Sequence, residues 1–93
     1  MKVRIAAIFY KKFLKQIDYI SNDKPKAARK FKSDIFEKLK ELSLMPYKNR
    51  KSVFYEQDNI RDLIFKGYII VYRINEEHKE IEVFGFIKYT EKP

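Results

Sequence analysis

The chain has 93 residues, which fits one compact domain spanning residues 1–93 and leaves no room for a second. Hydrophobic residues make up 45% of it, enough for a packed core, so the composition excludes a disordered protein. There is no cysteine and one histidine, which excludes disulfides and thiolate metal sites, and we expect no metal and no cofactor. The N-terminal apolar run is short and broken by charges, unlike a signal peptide or a membrane span, so we expect a cytoplasmic location and no membrane partner.

Positive charge is concentrated in the first half of the chain. The formal net charge is +8; residues 1–51 hold 15 Lys and Arg against 5 Asp and Glu, whereas residues 52–93 hold 6 against 8. This balance favours polyanionic or acidic partners: nucleic acid, the ribosome, a DNA-bound enzyme or an acidic protein segment. A basic surface that serves only solubility is the alternative.

A strand followed by a helical hairpin is predicted for the first half. Val3 and Ile5 alternate with charged residues, the period of a half-buried strand over residues 2–6. From Ala7 the apolar spacing becomes helical, ending near residue 21. Capping side chains at 21–24 and Pro25 predict the start of a second helix, which Met45-Pro46 ends because the residue before proline avoids the α region. The short turn between the helices predicts an antiparallel pair.

Residues 46–59 are predicted to form a loop, with a brief extended piece at residues 53–55. The loop is long for so small a domain, which indicates a functional role. It carries Lys48, Arg50 and Lys51, which are candidate contacts to a target protein or to nucleic acid.

Three β-rich runs follow, at residues 60–65, 68–74 and 81–87, and they predict an antiparallel meander. In the last run, simple alternation places Ile81, Val83, Gly85 and Ile87 on one face and Glu82, Phe84, Phe86 and Lys88 on the other. The order β-α-α-β-β-β predicts an α+β fold, with the helical hairpin packed on one face of a small, mostly antiparallel sheet.

Several of these segments together resemble the RelE/ParE superfamily of toxins from bacterial type II toxin–antitoxin systems. The resemblance covers nearly the whole chain, and the segments that carry it are Asn22-Asp23-Lys24-Pro25-Lys26-Ala27-Ala28, Leu44-Met45-Pro46, Asn59-Ile60-Arg61-Asp62-Leu63 and Gly67-Tyr68-Ile69-Ile70-Val71-Tyr72-Arg73-Ile74. The Pro-Ala start of the second helix and the loop leading to Arg61 are more similar to the ParE branch.

The resemblance implies a toxin that a cognate antitoxin neutralises. ParE-like members act on DNA gyrase, which we expect here, whereas RelE-like members cleave messenger RNA on the ribosome. A third possibility is a chain without toxicity that represses its own promoter together with the antitoxin. Whether the chain is an enzyme depends on which of these holds.

Arg61 and Arg73 are the first candidates for chemistry, because each lies in a strand otherwise rich in apolar residues. If their strands pair, the two guanidinium groups could share a face and stabilise the transition state for attack by a ribose 2′-hydroxyl. The alternative is a structural arginine bonded to Asp62, Glu80 or Glu82.

Lys88 and Tyr89 form a basic, aromatic end to the last strand, and RelE-like ribonucleases use lysines, arginines and a C-terminal tyrosine in place of histidine. A RelE-like mechanism would therefore use Arg61, Arg73, Lys88 and Tyr89. The dense run of catalytic Lys and Arg that is typical of those enzymes is absent here, which favours a ParE-like, non-enzymatic role.

Tyr68, Tyr72, Phe84 and Phe86 are candidate antitoxin contacts, because an aromatic sheet face can receive an amphipathic segment. The resemblance implies an antitoxin with an acidic or amphipathic C-terminal segment, which the net charge of +8 complements. His78 is expected to be an exposed turn residue. The sequence has no HExxH, Walker or GxGxxG motif, which excludes the corresponding metalloprotease and nucleotide-binding classes.

Overall fold

A computed structural model describes residues 1–88 and shows an α+β fold, as predicted. Two helices cover one face of a five-stranded sheet within these residues. The elements are β1 (Lys2–Ile5), α1 (Ala7–Asp23), α2 (Pro25–Leu42), β2 (Arg50–Lys51), β3 (Ile60–Phe65), β4 (Tyr68–Asn75) and β5 (Glu80–Lys88). We call the sheet face that packs on the helices the helix face, and the opposite one the outer face.

The sheet has the strand order β1-β5-β4-β3-β2. Strands β3, β4 and β5 form the predicted antiparallel meander. At one edge β1 pairs with β5 in parallel, which is possible because the helical hairpin provides the long crossover that a parallel partner needs. At the other edge β2 pairs with β3. This strand lies at residues 50–51, so it begins three residues before the extended piece predicted at 53–55.

The two helices form the predicted hairpin, and Pro25 stands in the first turn of α2. The prediction that side chains at 21–24 cap this helix is wrong, because α1 continues to Asp23 and Lys24 is the N-cap without a side-chain hydrogen bond. The Lys24 N–H instead donates to the carbonyl of Ile20, at 2.8 Å. The connection is thus one residue long, and it fixes the antiparallel arrangement.

Aromatic side chains dominate the core between the helices and the sheet. Phe9 and Phe13 of α1 are fully buried, and Phe86 of β5 meets both of them edge-on, at 5.6 and 5.7 Å between ring centroids. Edge-to-face packing of this kind adds about 0.5–1.5 kcal/mol per pair to the burial itself. It joins α1 to the middle of the sheet.

A β-bulge interrupts the alternation of β5. Tyr72 pairs with Val83, whereas the preceding Val71 pairs with Gly85, so Phe84 is an extra residue. The predicted face assignment is therefore wrong after Phe84: Phe86 joins the helix face, while Gly85 and Ile87 lie on the outer face.

A smaller apolar cluster lies on the outer face. Ile60, Ile69 and Val71 are buried there, and Phe54 from the segment after β2 packs against them together with Phe84. The loop before β3 therefore covers part of the outer face. No helix in residues 1–88 is long and apolar enough to cross a membrane.

Candidate functional site

The connecting loop, residues 43–59, is held to the sheet by Arg61. The guanidinium group donates hydrogen bonds to the backbone carbonyls of Asp58 at 2.9 Å, Asn49 at 3.1 Å and Tyr47 at 3.4 Å. It also lies 4.9 Å from the centre of the Tyr47 ring, within range of a cation–π contact. Arg61 thus joins both arms of the loop and does not bond Asp62, the acidic partner considered for it.

Tyr72 fixes the start of the same loop from within the core. Its side chain is fully buried, its hydroxyl donates to the Pro46 carbonyl at 2.6 Å, and it accepts from the Asn49 amide at 3.1 Å. Burial raises the pKa of the Tyr72 hydroxyl above its usual value. A neutral, buried tyrosine of this kind positions the loop and offers no group to a partner.

Asp62 is the third anchor and lies on the outer face of β3. One oxygen, Oδ2, accepts from Arg50 Nε at 3.3 Å, Arg50 Nη2 at 3.2 Å and the Val53 N–H at 3.0 Å. The carboxylate is fully buried, and Oδ1 has no hydrogen-bond partner within residues 1–88. In the sequence, the only indication of this role is that an acidic residue stands in an apolar strand.

Two of the three predicted basic contacts already have acidic partners. Arg50 bonds the buried Asp62, and Lys51 Nζ lies 2.8 Å from a carboxylate oxygen of Asp58, whose pKa it lowers. Lys48 is exposed and forms no ion pair with the residues that the structure describes. Of the three, Lys48 is therefore the most available for a target.

Arg73 belongs to an ion-pair ladder on the outer face. It donates to Glu82 Oε1 at 2.9 Å, and Arg4 bonds the other oxygen of Glu82 as well as Glu80. These bonds raise the pKa of Arg4 and lower that of Glu80. The Arg73 guanidinium also lies 5.5 Å from the centre of the Phe84 ring. Bonding of Arg73 to Glu82 is the structural alternative that the sequence left open.

The expectation that Arg61 and Arg73 share a face is wrong. The strands do pair, but Arg61 stands opposite Tyr72 and Arg73 opposite Ile60. Because side chains alternate along a strand, Arg61 lies on the helix face and Arg73 on the outer face. The sheet thus separates the two guanidinium groups.

The four candidate aromatic contacts do not form one surface either. Tyr72 is fully buried and Phe86 is 8% exposed, so both belong to the core. Tyr68 is half-buried and stacks on Phe86, whereas Phe84 lies on the opposite face beside Tyr55. Of the four, only Tyr68 and Phe84 have side chains exposed enough to contact a partner, and these two lie on opposite faces of the sheet.

The C-terminal candidates are only partly within the described residues. Lys88 is exposed, and its ammonium lies 5.7 Å from the centre of the Tyr19 ring of α1. Tyr89 lies outside the described residues. His78 is exposed in the β4–β5 turn, where its backbone N–H donates to the Asn75 side chain. Among residues 1–88, no three His, Asp or Glu side chains come together as a metal site.

Sequence reasoning missed a set of exposed apolar residues in the connecting loop. Leu44 is 83% exposed and Val53 66%, and Met45, Tyr47 and Tyr55 are each more than two-fifths exposed. Clustered exposed apolar side chains are typical of protein contact sites, and Leu44, Met45 and Tyr47 lie within four consecutive residues. Their signal was in the sequence, since Leu44 and Met45 follow the last buried residue of α2 and precede a proline.

The helical hairpin on a mostly antiparallel sheet, with a long anchored loop before β3, defines the class: a small α+β toxin domain of the RelE/ParE type. The sequence matches the family described as ParE toxin of type II toxin-antitoxin system, parDE, over residues 3–92. The chain therefore belongs to the ParE toxin family, and membership implies an antitoxin as partner. No curated protein matches the chain.

Proposed function

We propose that this toxin poisons DNA gyrase in the cytoplasm by protein contact and that a cognate antitoxin neutralises it. Membership of the ParE family supports the proposal. The observation that carries it is the separation of Arg61 and Arg73 by the sheet. The alternative, ribosome-dependent cleavage of messenger RNA, would need their charges to converge where negative charge develops on phosphorus.

The connecting loop supports a binding role. Its exposed Leu44, Met45 and Tyr47 adjoin Lys48, which forms no ion pair among the described residues. Arg61 and Tyr72 hold this part of the loop in place. A fixed apolar surface with a cation at its edge resembles the core and rim of protein interfaces. A loop held in this way loses little conformational freedom on binding, which favours affinity.

The charge of the chain supports an acidic antitoxin segment. The net charge is +8, and an acidic partner would associate faster and cover the basic surface that otherwise faces gyrase-bound DNA. Tyr68 and Phe84 remain candidate contacts for such a segment, since both retain exposed surface.

The test is a supercoiling and DNA-cleavage assay with purified gyrase and rising amounts of toxin freed from its antitoxin. We expect inhibition with trapped cleaved DNA, relieved by the antitoxin. If folded toxin has no effect, the proposal fails and ribosomal messenger RNA cleavage is assayed next, with Arg61, Arg73, Lys88 and Tyr89 as the residues to replace. Harmless expression without antitoxin would instead favour a role confined to promoter repression.

A further inference from the structure

A basic and aromatic pocket lies between α1 and the end of β5. Its volume is about 320 Å³, and its polar lining comes from Lys12, Lys15, Gln16 and Tyr19 of α1 together with Tyr68 and Lys88 of the sheet. A volume of this size falls in the range of sites for small organic ligands. The pocket is separate from the connecting loop.

The local sequence explains how the pocket forms. Residues 12, 15, 16 and 19 share one side of α1, next to the buried stripe of Phe9 and Phe13. On the sheet, Lys88 pairs with Tyr68 across β5 and β4. The bulge at Phe84 shifts the alternation of β5, and this shift turns Lys88 toward α1.

Within residues 1–88, the three lysines of the pocket have no acidic partner. Lys12, Lys15 and Lys88 form no ion pair with any residue in the described part of the chain, in contrast to Lys30, Lys51 and Lys66. Three ammonium groups around one cavity repel one another, and an anion placed between them would relieve that repulsion. The electrostatics of the pocket therefore select for a negatively charged ligand.

The aromatic walls narrow the chemistry of that ligand. Tyr19 is 70% exposed, so most of its surface is accessible to a ligand. The Tyr68 ring is stacked on Phe86, with 5.0 Å between centroids and 15° between planes, so its orientation is fixed. An exposed ring beside several cations is the combination that stacks a nucleobase while holding its phosphate.

We propose that this pocket binds a phosphorylated nucleotide, free or at the end of a single strand. The base stacks on Tyr19 in place of the Lys88 ammonium, and the phosphate lies among Lys12, Lys15 and Lys88. Binding involves no bond making or breaking. It does not depend on the action on gyrase, because it uses a different surface. An acidic peptide would also pair with the lysines, but its binding would not depend on the Tyr19 ring. The test therefore separates a nucleotide from an acidic peptide.

The first arm of the test measures charge. A fluorescein-labelled pentathymidylate with a 5′-phosphate is titrated with toxin at several salt concentrations and followed by anisotropy. In the double variant Lys12→Gln, Lys15→Gln we expect weaker binding and a shallower slope of log affinity against log salt. The slope should change by about 0.7, since the lysines share one phosphate and each phosphate that a protein neutralises on a single strand contributes roughly that much. The control double variant Lys26→Gln, Lys32→Gln removes the same charge from exposed positions outside the pocket. Equal losses in the two variants would overturn the site.

The second arm measures stacking. Tyr19→Phe keeps the ring and should bind like wild type, whereas Tyr19→Leu should bind about tenfold more weakly, the loss typical of one base–aromatic stack. Calorimetry with thymidine monophosphate shows whether a free nucleotide suffices; binding of the oligonucleotide alone would assign the site to strand ends. The proposal is overturned if the two Tyr19 variants bind the oligonucleotide equally well. It is also overturned if an octaglutamate peptide binds more tightly than the oligonucleotide, or if neither nucleotide probe binds.

Discussion

The buried carboxylate of Asp62 accepts two hydrogen bonds from the guanidinium of Arg50, at 3.3 and 3.2 Å, and so ties the short edge strand β2 to β3. We expect Arg50→Ala to lower the free energy of unfolding by about 1–2 kcal/mol, because it leaves a buried charge with fewer donors. This loss of stability is at the low end for hydrogen bonds to a charged group, because the Arg50 side chain is partly exposed. Urea unfolding followed by circular dichroism measures the loss.

Lys48→Ala is the matched control for this change. Lys48 carries the same charge in the same loop but forms no ion pair among the described residues, so its loss should change stability by less than about 0.5 kcal/mol. Equal destabilisation by the two variants would show that Asp62 does not depend on Arg50.

Tyr72→Phe tests the second anchor of the connecting loop. The change removes the hydroxyl that donates to Pro46 and accepts from Asn49, and it leaves the part-buried Pro46 carbonyl without this donor. We expect a loss of about 1–2 kcal/mol in unfolding free energy. Tyr10→Phe serves as control, because Tyr10 is partly exposed and its hydroxyl bonds no residue in the described part of the chain. A Tyr72→Phe protein as stable as the control would rule out the anchor.

Gly85→Ala probes the bulge in β5. A Cβ atom at this position would lie 2.8 Å from Cβ and 2.9 Å from Cγ2 of Val71, closer than two carbons can approach. We expect a destabilisation of about 1–3 kcal/mol, the usual range for overpacking. In a Val71→Gly background both Cβ and Cγ2 are gone, so the added cost of Gly85→Ala should shrink. A double-mutant cycle with no coupling between the two changes would contradict the steric explanation.

The sequence predicted the fold well because its periodicities are local. The helical spacing of α1 and α2, the alternation of β1, the apolar run of β4 and the proline at residue 25 are all local features of the sequence. The meander follows from short turns. The bulge at Phe84 could not be predicted in this way. It lies where Gly85 passes close to Val71 of the neighbouring strand, and it reverses the face of every later residue in β5.

The site was predicted less well, for a related reason. Whether Arg61 and Arg73 share a face depends on the register of β3 against β4, and a shift of one residue changes the answer. The ion pair between Arg50 and Asp62 likewise depends on the pairing of β2 with β3. Strand β2 has two residues, too few to show an alternating pattern in the sequence. That Arg50 and Lys51 are paired, which makes Lys48 the available cation of the loop, therefore emerged only with the folded structure.

Acid should weaken the tie between α2 and the β3–β4 turn. Asp34 accepts hydrogen bonds from Lys66 and Lys30, and these bonds lower its pKa below the ordinary 3.8. An acidic group whose pKa is lower in the folded than in the unfolded protein stabilises the fold above pH 3.8. This contribution is lost as the pH falls through the pKa of the folded state. Asp34→Asn should therefore be less stable than wild type at pH 7, and the difference should shrink as the pH falls below 3.8 toward 2.

Unfolding free energies of both proteins across this pH range provide the measurement. Asp18→Asn is the control, since Asp18 is exposed and forms no ion pair within residues 1–88. Because the Asp34 pairs are exposed, the difference should also decrease at high salt. A difference between wild type and Asp34→Asn that is the same at pH 7 and pH 2 would contradict the assignment.

Arg61→Ala and Arg73→Ala should have different consequences, because the two side chains have different structural tasks. Arg73 is exposed and bonds Glu82 at the surface, so its loss should change stability by less than about 1 kcal/mol and leave gyrase poisoning nearly unchanged. Arg61 donates to the carbonyls of Tyr47, Asn49 and Asp58, so its loss should destabilise the protein by about 1–3 kcal/mol and loosen the connecting loop. The Arg61→Ala protein should then poison gyrase more weakly, and its connecting loop should be less ordered. Faster amide exchange at residues 47–49 would report the loss of order. If Arg73→Ala stays folded but no longer traps cleaved DNA, Arg73 contacts the target directly and the ion pair with Glu82 is not its main role.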